Sequence, residues 1–131
     1  MTESSYVQAF DLMWEMFDEP ALLIHRNRTI VAANRAARRL GGREGEKFRG
    51  LAPSGKLPGY QWARADEALR NRRPISDITL EFGAPVTCYW IPLPESPDLY
   101  VHFGLGVARQ SAFRDSPPMM AANDQENVHV S

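Results

Sequence analysis

Alternation of apolar and polar residues is plainest in the second half of the chain. In LYVHFGLGV, residues 99–107, Leu99, Val101, Phe103, Leu105 and Val107 share one face, while Tyr100, His102, Gly104 and Gly106 share the other. That period of two predicts a strand. ISDITLEF (75–82) alternates likewise, with Ile78, Leu80 and Phe82 together. PVTCYWIPLP (85–94) is apolar on both faces until its prolines push it to an edge or an end. The turn ESPD joins it to the last strand. Earlier, ALLIHR (21–26) and TIVAAN (29–34) predict a hairpin closed at Asn27-Arg28, because Asn tolerates the left-handed conformation of a tight turn. Arg is less favourable there than Gly, which leaves a slightly longer turn open.

Three helical stretches separate or precede these strands. Residues 5–18 have capping-box spacing at Ser5 and Gln8 and a stop at Pro20. On a wheel of ~100° per residue, Gln8, Asp11, Glu15 and Asp18 fill one narrow side and apolar residues the rest. Such an arc is wider than one contact buries. Packing on its own domain hides part of it and a second chain the remainder; a loop or the C-terminal tail is the other possible cover. RAARRL (35–40) predicts a short helix closed by a left-handed Gly41. QWARADEALRNRRP (61–74) predicts a longer one, with Trp62, Ala65 and Leu69 on one face and Pro74 as its end. The loop-rich stretch between them, 42–60, has room for a helical turn at 46–51. The order helix, hairpin, helices, three strands predicts an α+β fold. It has a five-stranded antiparallel sheet, helices on one face and the N-terminal amphipathic helix on the other. The expected organisation is residues 1–19 as a dimerisation helix, 20–109 as the domain and 110–131 as a polar, disordered tail.

Composition narrows the function classes. A chain of 131 residues with 44% hydrophobic and 24% charged residues is an ordinary globular domain. No apolar run nears the ~20 residues a membrane span needs, and the N-terminus is acidic, so a cytoplasmic protein is expected. One cysteine, Cys88, excludes an internal disulfide and multi-cysteine metal sites. Net charge is −1, yet residues 26–73 carry thirteen bases against four acids. That segment is either a solvated helical face, the reading adopted, or an attractant for an anionic ligand. Nucleic-acid binding is not expected, because no helix-turn-helix partner accompanies Arg35, Arg38 and Arg39.

Motifs for catalysis are absent. GLAPSGKL (50–57) nearly spells a phosphate-binding loop, but Leu57 stands where a hydroxyl must hold magnesium and Pro58-Gly59 break the following helix. His25, His102 and His129 have no zinc spacing. Cys88 can meet His102 across a hairpin, though a buried structural thiol is the simpler reading.

The hairpin, the closing Asn34 and the Ala-rich helix ending in Leu-Gly, followed by the three late strands, together resemble a PAS domain. The resemblance spans about residues 18–109. It departs from the family in its HRNRT turn and its short, loop-rich middle. It implies a sensory or protein-interaction module, the sensor part of a transcriptional regulator or histidine kinase, that holds a small ligand between sheet and helices. Such a module signals through flanking helices, as a homodimer. No output domain is visible after residue 109, so the chain is expected to be a stand-alone module or a sensor fragment.

By that resemblance Trp62, Leu69, Cys88, Trp90, Tyr100, His102 and Gly104 would bind the ligand, with Gly106 on the same side. Tyr6, Phe10, Met13, Trp14, Phe17, Tyr89, Ile91 and Phe103 would form the dimer interface. The reading in which Trp62 and Trp90 are simply core stays open. The cofactor is unknown. A flavin type needs a reactive Cys on a helix, and a haem type a His on the long helix, which has none; His102, on the sheet, is the alternative haem ligand. The alternative from another class is a small cavity enzyme with His102 or Asp77 as general base.

Overall fold

The computed structural model describes residues 2–51, 59–80 and 83–109. Most of GLAPSGKL, the Phe82 position and the tail 110–131 lie outside them. The chain is α+β: α1 (Glu3–Trp14), β1 (Ala21–His25), β2 (Ile30–Ala33), α2 (Arg35–Arg39), α3 (Gly59–Asn71), β3 (Ile75–Thr79), β4 (Val86–Pro92) and β5 (Leu99–Leu105). The strands form one antiparallel sheet in the order β2-β1-β5-β4-β3. The first and last strands are thus neighbours at its centre. Among the described residues no helix is long and apolar enough to cross a membrane.

Each face of the sheet has its own core. Leu22, Ile24, Cys88, Trp90 and Tyr100 pack inward with Ala37 of α2, Ala65, Ala68 and Leu69 of α3, and Phe48 and Leu51. Alanines at the helix contacts let the helical backbones come close to the large aromatic rings. On the outer face Leu23, Leu99, Val101 and Phe103 pack with Tyr6 and Phe10 of α1. Phe103 is the centre of this layer: its ring lies 5.2 Å from Trp14, 5.6 Å from Phe17 and 4.9 Å from Tyr89. Each large side chain buried here is worth about 1.5–3 kcal/mol.

Several expectations change. α1 begins at Glu3, because Thr2 rather than Ser5 caps it, its side chain accepting from the Ser5 amide at 3.2 Å. It ends at Trp14, four residues early. The eight residues expected at a dimer interface are mostly covered by the chain itself. Tyr6, Phe10 and Phe103 are buried, and Trp14, Phe17, Tyr89 and Ile91 are half-buried in the same layer. Of the eight, only Met13 stays exposed, beside Leu12 and Met16. No helical turn forms at 46–51. Glu46 and Phe48 instead exchange backbone bonds with Ile30 and Arg28, extending the sheet edge beside β2. Val107 does not continue the outer stripe of β5. Gly106, at φ 100°, turns the chain and drops Val107 into the inner core.

Helix α2 ends as its glycines predict. Gly41 is left-handed at φ 96°, its N–H meets the Arg38 carbonyl, and the Gly42 N–H meets that of Ala37.

The early end of α1 has a long-range cause. The Asn34 side chain, buried at the α2 N-terminus, donates through Nδ2 to the carbonyls of Trp14 (3.1 Å), Phe17 (3.2 Å) and Glu19 (2.9 Å). Its Oδ1 accepts from the amides of Ala37 (2.9 Å) and Ala21 (3.0 Å). One amide thereby caps α2, terminates α1 and anchors β1. Arg38 adds a forked pair to Glu15 at 3.1 and 2.5 Å, and that guanidinium holds the Glu15 carboxyl below the usual carboxylate range.

Asn34→Ala is expected to cost about 3–5 kcal/mol. A lost cap accounts for about 1 kcal/mol, and each buried partner left unpaired adds about 1–3 kcal/mol. Urea denaturation checks this. A loss below about 1 kcal/mol would mean that water replaces the side chain without penalty.

Candidate functional site

Strand register gathers most of the expected ligand residues on one surface. On β4, Cys88 and Trp90 face the helices; on β5, Tyr100, His102 and Gly104 do. Trp90 lies opposite His102 and Cys88 opposite Gly104. Leu69 of α3 closes over this surface. Trp62 does not join it. It is 40% exposed, and the Arg28 guanidinium lies over its ring at 5.3 Å. Trp90 is core and Trp62 is not.

His102 is the unusual group. Its ring is 1% exposed, stacked on Trp90 (5.1 Å between centroids, 27° between planes) and edge-on to Phe48 at 5.3 Å. Its Nδ1 lies 2.8 Å from the Tyr89 carbonyl. A carbonyl only accepts, so Nδ1 carries the proton and Nε2 holds the lone pair of a neutral ring. Among the described residues Nε2 has no hydrogen-bond partner. Burial pushes the imidazole pKa down to about 4, with the Tyr89 bond opposing only weakly. Burial also raises the Tyr100 phenol well above its ordinary value, offset in part by Arg28.

At Gly104, one of the residues the resemblance assigns to the ligand, the missing side chain would leave room beside the backbone. That room is taken. A Cβ there would stand 2.8 Å from the Val107 Cγ2 and 3.2 Å from the Val86 Cγ1. With Val107 over Gly104 and the His102 ring held between Trp90 and Phe48, these residues do not fit a haem or flavin. Gly106 gives its N–H to Glu19 at 3.0 Å. Among the described residues no group of three or more His, Cys, Asp or Glu could hold a metal ion. Asp77 is no partner for His102: it pairs with Arg64 at 3.3 Å and lies in register with Cys88, not with Trp90.

Two tethering positions carry no local sequence signal of their roles. Glu19 accepts the amides of Gly106 (3.0 Å) and Ala108 (2.9 Å), tying the entry of β1 to the exit of β5. Arg28 occupies the left-handed position of the hairpin at φ 79°. The turn is longer than two residues: the Arg28 amide returns to the His25 carbonyl at 2.7 Å and the His25 amide to that of Thr29 at 2.9 Å. Glycine is the usual occupant of such a bulge. Arg28 instead reaches α3, forking onto Asp66 at 3.0 and 3.1 Å and donating to the Arg26 carbonyl at 2.8 Å. No protein-family model matches the chain, and a search of curated proteins finds no match.

Two outcomes follow from these geometries. Above about pH 6.5 His102 is neutral in both folded and unfolded states. As pH falls from there towards about 4, the unfolded chain takes up a proton that the folded protein refuses. Stability should drop by about 3 kcal/mol over that window. His102→Phe should remove this part of the slope in urea titrations, and identical slopes would contradict a buried neutral ring. At the hairpin, Arg28→Ala keeps the backbone strain and loses the tether, whereas Arg28→Gly loses the tether and relieves the strain. The alanine variant should be less stable than the parent, and the glycine variant about 1 kcal/mol more stable than the alanine one. An alanine variant as stable as the parent would show that the Asp66 fork contributes nothing.

Proposed function

We propose that this chain is a PAS-like signalling module whose output surface is α1, acting as a homodimer. One observation carries the reading: successive residues of β5 serve opposite layers. His102 lies in the inner core with an unused acceptor, while Phe103 is the ring on which Trp14 and Phe17 of the outer layer rest. A small molecule able to donate a hydrogen bond to Nε2 would displace the Trp90–His102 stack. β5 would pass that shift to α1 without an intermediate element. The five-stranded antiparallel sheet, with helices on one side and α1 on the other, supports the same reading. The ligand is small rather than a macrocycle, because Val107, Trp90 and Phe48 crowd the ring. Exposed Leu12 and Met13 of α1, with Met16 just beyond its end, are the large apolar side chains left for a second copy.

Absorbance and paired native and denaturing mass spectrometry of the purified protein test both halves. A mass lost on denaturation, and absent from His102→Phe, is the expected result for the ligand. A dimer in light scattering that becomes monomeric in Met13→Glu is expected for the surface. A wild-type monomer, with no bound mass at any loading, would overturn the reading.

A further inference from the structure

The Arg28 tether leaves a neighbouring group without a counter-charge. Asp66 stands four residues before Arg70 on α3, the spacing at which a helix pairs an acid with a base. Both Asp66 oxygens go instead to Arg28. Among the described residues Arg70 has no hydrogen bond or ion pair. It lines a cleft of about 600 Å³ together with Arg26, Arg28, Asp66, Leu69 and Pro97. Arg26 spends one nitrogen on Asp98 at 3.3 Å and is otherwise open. The cleft thus holds three guanidiniums against Asp66, already spent on Arg28, and the Asp98 carboxylate beside Arg26, with Leu69 and Pro97 as apolar walls. Its volume lies in the range of small-molecule pockets.

We infer that this cleft binds a small organic dianion, a phosphate monoester or a dicarboxylate, with its charged head on Arg70 and Arg26 and a short apolar body on Leu69 and Pro97. Guanidinium forks suit both head groups, because each presents paired oxygens to paired N–H donors. The site lies at the hairpin mouth rather than around His102, so it stands or falls apart from the signalling reading. Arg28 supplies field and shape but few donors, since most of its N–H groups are occupied by Asp66 and the Arg26 carbonyl.

Isothermal titration of the full chain with phenyl phosphate, succinate and phenol tests this. Arg70→Gln and Arg39→Gln serve as variants; both residues are exposed, and Arg39 lies on α2, outside the cleft. Phenyl phosphate should bind and phenol should not, with Arg70→Gln weakening binding about tenfold and Arg39→Gln leaving it unchanged. Added salt should weaken it too. Succinate binding more tightly than phenyl phosphate keeps the site and assigns its head group to carboxylates. Absence of binding by either dianion, or equal weakening in both variants, would overturn the proposal. So would tight binding of a single-stranded oligonucleotide that both variants weaken alike, since that pattern describes a diffuse basic surface.

Discussion

A carboxamide has two donor hydrogens and one acceptor oxygen; in Asn34 the two hydrogens are shared among three carbonyls and the oxygen between two amides, on several different elements. Without that side chain the carbonyls of Trp14, Phe17 and Glu19, the first amide of β1 and the Ala37 amide of α2 would each need water in a buried place. None of these elements is long enough to fix its own boundary. α2 has five residues, too few for a helix to persist unaided. The amide therefore sets where the outer helix stops, where the sheet starts and how the inner helices leave it. Arg38 and Glu15 repeat the connection at the surface, where solvent screens the pair and makes it secondary.

From this junction the two layers follow. β1, held at its first residue, is flanked by β2 and β5, and β5 places alternate side chains in the two cores. The inner core is dominated by aromatic rings against helix alanines. The outer one is an aromatic cluster centred on Phe103. His102 brings an imidazole into the inner layer, and the protein accommodates it by satisfying one nitrogen and keeping the ring neutral. An arrangement built for stability alone would have a hydrocarbon there. The retained imidazole is the clearest chemical asymmetry of the fold.

Much of this was legible in the residues themselves. Alternation put Tyr100 and His102 on one side of β5 and Val101 and Phe103 on the other, because a strand's period is a local property; that Cys88 and Trp90 of β4 share the first side was implied by the PAS resemblance. The glycine closure of α2 was legible for the same reason. What was not legible depends on partners far along the chain. The end of α1 is set by Asn34, so a stop signal at Pro20 placed it too late. Val107 reads as a continuation of the outer stripe until the left-handed Gly106 turns it inward. Trp62 shares a helical face with Ala65 and Leu69, but Arg28, across the hairpin, draws it to the surface. Gly104 belongs to the ligand residues that the PAS resemblance implies, yet the space beside it is filled by a neighbouring valine, which no pattern within β5 reveals.

The Glu19 carboxylate bridging the amides of residues 106 and 108 has a mechanical consequence. The point where the chain enters the sheet and the point where it leaves are held within one side chain's reach. The segment leading out of α1 and the residues that follow β5 are therefore joined by a side chain rather than by sheet pairing. Loss of that one carboxylate would untie them while leaving the β1–β5 ladder itself intact.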